Sequence, residues 1–104
     1  MTRTQITEIF HELVVGELLQ ERAQAMGRAG AKVEEALAQC HRLLRRLDAD
    51  RDGSGPADAD LLAAYRSARK QAEQRIWELC VQRECLGLYE HARVDEVFPL
   101  PPMR

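Results

Sequence analysis

The chain has 104 residues, 45% hydrophobic and 31% charged, with 15 Lys+Arg against 17 Asp+Glu. That length holds a single domain, residues 1–104, and plentiful Leu, Ala, Val and Ile with a net charge of only −2 exclude a disordered chain. No stretch approaches the ~20 apolar residues a bilayer requires, and no basic n-region precedes an apolar h-region, so neither a membrane partner nor export is expected and the expected location is cytoplasmic.

Composition points to an all-α fold. The sequence contains 14 Ala, 13 Leu, 13 Arg and 11 Glu, all good helix formers, against 12 β-branched residues. Arg outnumbers Lys 13 to 2, which reads as the usage of a GC-rich bacterial genome rather than as nucleic-acid binding. Three cysteines (Cys40, Cys80, Cys85) include no C-x-x-C pair and read as reduced thiols.

From Thr4 to Leu47 no proline interrupts the chain, and Thr4, Thr7 and Glu8 supply capping chemistry for a helix start. A first apolar stripe runs Ile6, Ile9, Phe10, Leu13, Val14, Leu18. A second, Leu19, Ala23, Met26, Gly30, Val33, Leu37, Cys40, Leu44, Leu47, alternates spacings of four and three, a heptad pattern. Gly27 and Gly30 each cost about 1 kcal/mol of helix relative to Ala, so the expectation is helices over about 4–26 and 28–48, broken at the glycines or continuous through them. Residues 48–60 form the linker. A further helix is expected over 58–87 from Leu61, Leu62, Tyr65, Ala68, Ala72, Ile76, Leu79 and Leu86, with Arg83 as the one polar intrusion. Gly87 followed by Leu88 matches a Schellman stop, and 88–104 reads as a tail ended by Pro99, Pro101 and Pro102.

Length arithmetic then suggests an assembly. A helix over 4–48 spans about 67 Å and one over 58–87 about 45 Å. A hairpin of the two leaves the Ile6–Leu18 stripe without a partner, too much apolar surface to leave wet. The expected architecture is therefore a long helical hairpin or a three-helix bundle, completed by homodimerisation. Its expected buried residues are Phe10, Leu13, Met26, Val33, Leu37, Cys40, Leu44, Ile76, Leu79 and Leu86.

The sharpest motif is Asp48-x-Asp50-x-Asp52-Gly53, the first half of an EF-hand loop, with carboxylates at positions 1, 3 and 5 and glycine at 6. These three aspartates are the candidate metal ligands, for Ca²⁺. The second half departs from the pattern: Ala59 stands where the bidentate Glu belongs, and Gly55 and Pro56 occupy the positions before it. Dipole complementarity explains much of the same segment, with Arg42, Arg45 and Arg46 closing one helix and Asp58 and Asp60 opening the next. Glu8 and His11 have di-iron Glu-x-x-His spacing, but no second copy exists. No Gly-x-Ser-x-Gly, phosphate-cradling glycine loop or His-Glu-x-x-His occurs. No cofactor and no catalytic residue are therefore assigned, and the chain is not expected to be an enzyme.

Arg42, Arg45, Arg46, Arg66, Arg69 and Lys70 gather at one end of a hairpin, where neighbouring aspartates and the lack of stacking aromatics favour a self-paired surface over a nucleic-acid site. The tail Pro99–Arg104 has Pro-x-x-Pro-x-Arg spacing, yet Val94, Val97, Phe98 and Leu100 predict that it packs back on the helices. Three runs, His11-Glu12-Leu13, Ala25-Met26-Gly27-Arg28 and Val81 to Leu88, are together similar to a family of short, all-helical bacterial proteins of unknown function. That resemblance implies no activity and no binding residues. The leading expectation is a small self-associating interaction module or adaptor with an unidentified protein partner; the alternative is a Ca²⁺ sensor using Asp48, Asp50 and Asp52.

Overall fold

The structure, a computed structural model, describes residues 2–49 and 56–104. It contains three helices, α1 (Arg3–Ala49), α2 (Pro56–Cys85) and α3 (Ala92–Val97), and no strand among the described residues. The all-α expectation is met. α1 runs unbroken through Gly27 and Gly30, so the break allowed for at those glycines does not occur. Two isolated glycines are too small a penalty to stop a helix whose next two turns are pinned by core packing. α2 opens on Pro56, whose fixed φ suits a first helical position.

α1 and α2 form an antiparallel hairpin. Its seam comprises Val33, Leu37, Cys40 and Leu43 from α1 and Tyr65, Ala72 and Leu79 from α2, all buried, with Met26, Leu44, Leu61 and Ile76 packed against them. Apart from Leu43, which is buried where Leu44 was expected and leaves Leu44 half-buried, these are the heptad positions of both helices, and the 4,3 spacing keeps one stripe of each facing the other. α2 stops where the sequence predicts. Gly87 adopts φ +80°, the Leu88 N–H donates to Arg83 O at 3.0 Å and the Gly87 N–H to Glu84 O at 2.9 Å, a Schellman pair. Arg83, the polar intrusion, reaches past this stop and donates from Nη2 to Glu90 O at 2.9 Å.

The chain then turns through α3, which seats Val94 in the core, and residues 99–104 run back along α2. Tyr65 Oη donates to Pro102 O at 2.6 Å, Arg69 Nε to Pro101 O at 2.9 Å and Arg66 Nε to Arg104 O at 2.9 Å. Pro101 is buried and Phe98 half-buried, so this segment packs back on the hairpin, and Val97 alone of its expected anchors stays more than half exposed. The molecule is elongated, 78 × 22 × 15 Å with a radius of gyration of 20.9 Å, against about 13 Å for a globular chain of this size.

Candidate interaction surface

The elongation has a specific source. Arg22 of α1 lies level with the end of α2, its Nη1 donating to Cys85 O at 3.4 Å, and every described residue before Ala25 is exposed. Residues 3–21 therefore project beyond the hairpin as a bare helix of about 28 Å. Phe10 is 64% exposed, Leu13 59% and Val14 52%, with Ile6, Ile9, Val15, Leu18 and Leu19 also open. Phe10 and Leu13, expected to be buried, are thus solvent-facing within one chain, because α2 is too short to reach them.

The sequence explains why the seam ends there. The heptad register Met26, Val33, Cys40, Leu47, carried backwards, reaches Leu19 and then Glu12 and Gln5. A carboxylate and an amide on the seam remove any reason for α2 to continue. Phe10 stands two residues from Glu12, about 160° around the helix, so the overhang's main apolar stripe looks away from the seam. Spacings of three and four then carry that same outer face along the rest of α1: Ile6, Phe10 and Val14 first, then Glu17, Glu21 and Gln24, and finally Arg28, Lys32, Glu35, Gln39 and Arg42.

Where this face reaches the hairpin it borders an open groove between α1 and α2. Lys32, Glu35, Ala36, Gln39, Arg42 and Leu43 line one wall, and Ala64, Ser67, Ala68, Gln71 and Arg75 the other. The returning segment 99–104 covers the opposite flank, through Arg66 and Arg69, each more than about 90° around α2 from Ala64 and Gln71. The groove is electropositive, with three cations to one carboxylate, whereas residues 3–21 hold Arg3 against Glu8, Glu12, Glu17 and Glu21.

Of the residues singled out for metal chemistry, the structure places Asp48, Glu8 and His11. Asp48 Oδ1 accepts from Arg104 Nη2 at 2.9 Å; Asp50 and Asp52 lie outside the described residues. Glu8 and His11 both stand on the overhang, exposed. Among the described residues no group of three or more His, Cys, Asp or Glu side chains is placed to hold a metal ion. Three members of the basic cluster are engaged locally, Arg66 and Arg69 on carbonyls of the returning segment, Arg69 also on Glu73, and Arg42 on Gln39 Oε1. Burial pushes the thiols of Cys40 and Cys80 up from their ordinary range, only partly offset by Arg69 and Arg83 respectively. Both thiols therefore keep their protons near pH 7.

Sequence reasoning missed the Tyr65 latch. The one available signal was a tyrosine on the seam, whose hydroxyl needs a partner once its ring is buried. It also missed Trp77, which is 62% exposed beside a shallow cleft shared with Phe98, Pro99 and Leu100.

No protein-family model, no curated protein and no solved structure matches the chain. No described helix is long and apolar enough to cross a membrane.

Proposed function

We propose that this chain is a small helical interaction module that self-associates through its projecting α1 segment, serving as an adaptor rather than as an enzyme. One observation carries the reading: a 47-residue helix whose first five turns present Ile6, Ile9, Phe10, Leu13 and Val14 to solvent, a patch large enough to mark a binding surface. Local propensity also supports it. Seven of the chain's 12 β-branched residues fall before residue 16, and such residues favour helix only when packing compensates for their lost rotamer freedom. A helix that concentrates β-branched residues and presents an apolar face is one that a neighbour is needed to hold.

The test is the oligomeric state. Sedimentation at micromolar concentration is expected to give about 24 kDa, twice the 11.8 kDa chain. Phe10→Glu combined with Leu13→Glu is expected to give a monomer whose hairpin still melts cooperatively. A parent chain that stays at the monomer mass up to about 100 μM, where even a weak Kd would show, overturns the reading.

A further inference from the structure

Resting on that self-association, we propose that the projecting segment of each copy lies in the electropositive α1–α2 groove of a second copy, the two α1 helices running antiparallel about a two-fold axis between Gln24 and Ala25. The occupant is a second copy because the surfaces of one chain complement each other in this register. A two-fold axis there sets Glu17 against Lys32 of the second copy and Glu21 against Arg28, each pair occurring twice, since an isologous contact repeats every pairing. The same register sets Phe10 against Gln39, both at the centre of the shared face, and brings Ile6 level with Leu43, so the apolar overhang lies along the groove wall.

Each of these charge pairs resolves a conflict within α1. Glu17 and Glu21 are four apart on one face, as are Arg28 and Lys32, and like charges at that spacing destabilise a helix. Antiparallel pairing places the acidic couple on the basic one. Groove wall and overhang also share one straight face of α1, so no bend is required for both ends to engage at once.

Area separates this arrangement from the simpler one in which two overhangs pair only with each other. Six half-exposed side chains (Ile6, Ile9, Phe10, Leu13, Val14 and Leu18) at about 80 Å² each give about 500 Å² per overhang. Overhang on overhang therefore buries about 1,000 Å² in total, below the roughly 1,200–2,000 Å² of stable interfaces. Two overhangs in two grooves bury about 2,000 Å² and cover the Ala36, Ala64 and Ala68 floor as well.

Cysteine cross-linking tests the placement. In a chain carrying Cys80→Ser and Cys85→Ser, Phe10→Cys together with Gln39→Cys is expected to oxidise to a covalent dimer whose disulfide joins positions 10 and 39. Those positions are about 44 Å apart along one helix, so the bond can only be intermolecular. A disulfide joining the two copies through Phe10→Cys alone, without the 10–39 link, overturns groove docking and leaves self-association standing. A dimeric parent with neither link also overturns it, and a monomeric parent removes both readings. Independently, Lys32→Glu is expected to raise the dimer Kd at least tenfold, and adding Glu17→Lys to restore it to within about threefold. Absence of that rescue overturns the register.

Discussion

The two halves of α1 have the same backbone and opposite circumstances. From Met26 to Leu47 the helix is held by a seam that buries Val33, Leu37, Cys40 and Leu43 against α2; from Arg3 to Glu21 every residue is exposed. The buried half takes its apolar residues at heptad spacing and keeps β-branched residues to Val33 alone. The exposed half gathers Thr4, Ile6, Thr7, Ile9, Val14 and Val15, residues whose helix is only as stable as what packs on it. The contrast teaches that folding and assembly are divided along one element: one half makes the hairpin, the other half is shaped for a neighbour.

The largest effect is expected from attacking the half that folds. Leu37→Ala opens a cavity in a seam only two helices thick, and a cost of about 2–5 kcal/mol approaches the whole stability of a small domain. Urea denaturation should show a midpoint shifted by most of that, or no cooperative transition. An equally large loss from Phe10→Ala in dilute monomer would break the division, because an exposed side chain has no cavity to leave. The next effect concerns the other half. On dilution below the dimer Kd, circular dichroism should report a fall in helicity matching roughly the first 19 residues, while exchange protection of Val33 to Leu43 persists. Unchanged helicity across dissociation would mean that the overhang needs no partner.

Much of this organisation was legible in the sequence, and for a physical reason. Heptad spacing and the Gly87 stop are local signals, and each is read from residues within two turns of one another. The unpartnered N-terminal stripe was legible through length alone, since one helix outruns the other by about 25 Å. What remained hidden depends on long-range placement. The direction of the overhang's stripe follows only after the seam is known. The pairing of Asp48 with Arg104, 56 residues away, has no local signal, and neither has the capture of Pro101 and Pro102 carbonyls by Arg69 and Tyr65. The basic cluster read as one surface patch because sequence cannot show that two of its arginines face the returning segment.

That returning segment offers a smaller, sharper probe of the folding half. Tyr65→Phe removes the 2.6 Å hydrogen bond to Pro102 O and leaves a carbonyl beside the buried Pro101, a cost of about 1–2 kcal/mol. Exchange protection near Phe98 is expected to fall while the seam stays protected. The same residue governs the alkaline limit. Burial first, and then the nearby Cys40 thiol, push the Tyr65 phenol above its ordinary 10.0 against the opposing pull of Arg69 and Arg104, and burial pushes Cys40 above 9.0. Both groups are neutral when folded, and the unfolded chain loses these protons at lower pH. Their contribution is therefore intact below pH 9.0 and is lost as pH rises through the folded values. Stability should be flat from pH 7 to 9 and then decline, more gently in Tyr65→Phe than in the parent. An identical alkaline decline in the two chains would remove Tyr65 from this role.

The smallest effects come from glycines, and their signs discriminate between the regions. A Cβ at Gly16, Gly27 or Gly30 meets nothing within 4 Å in a single chain, and all three lie inside α1. Gly30→Ala should therefore stabilise the hairpin by about 0.5–1 kcal/mol, the intrinsic difference in helix propensity. Gly16→Ala should raise the helicity of the overhang without moving the urea midpoint, because the overhang does not take part in the cooperative unit. Gly87→Ala should go the other way, since its φ of +80° is a conformation only glycine adopts without strain, and the loss is about 1 kcal/mol. Thermal melts of the three variants, read at 222 nm and by calorimetry together, separate these outcomes. If Gly16→Ala raised the calorimetric midpoint as much as Gly30→Ala, the projecting half of α1 would belong to the same cooperative unit as the seam. The overhang would then be part of the fold rather than a surface offered by it.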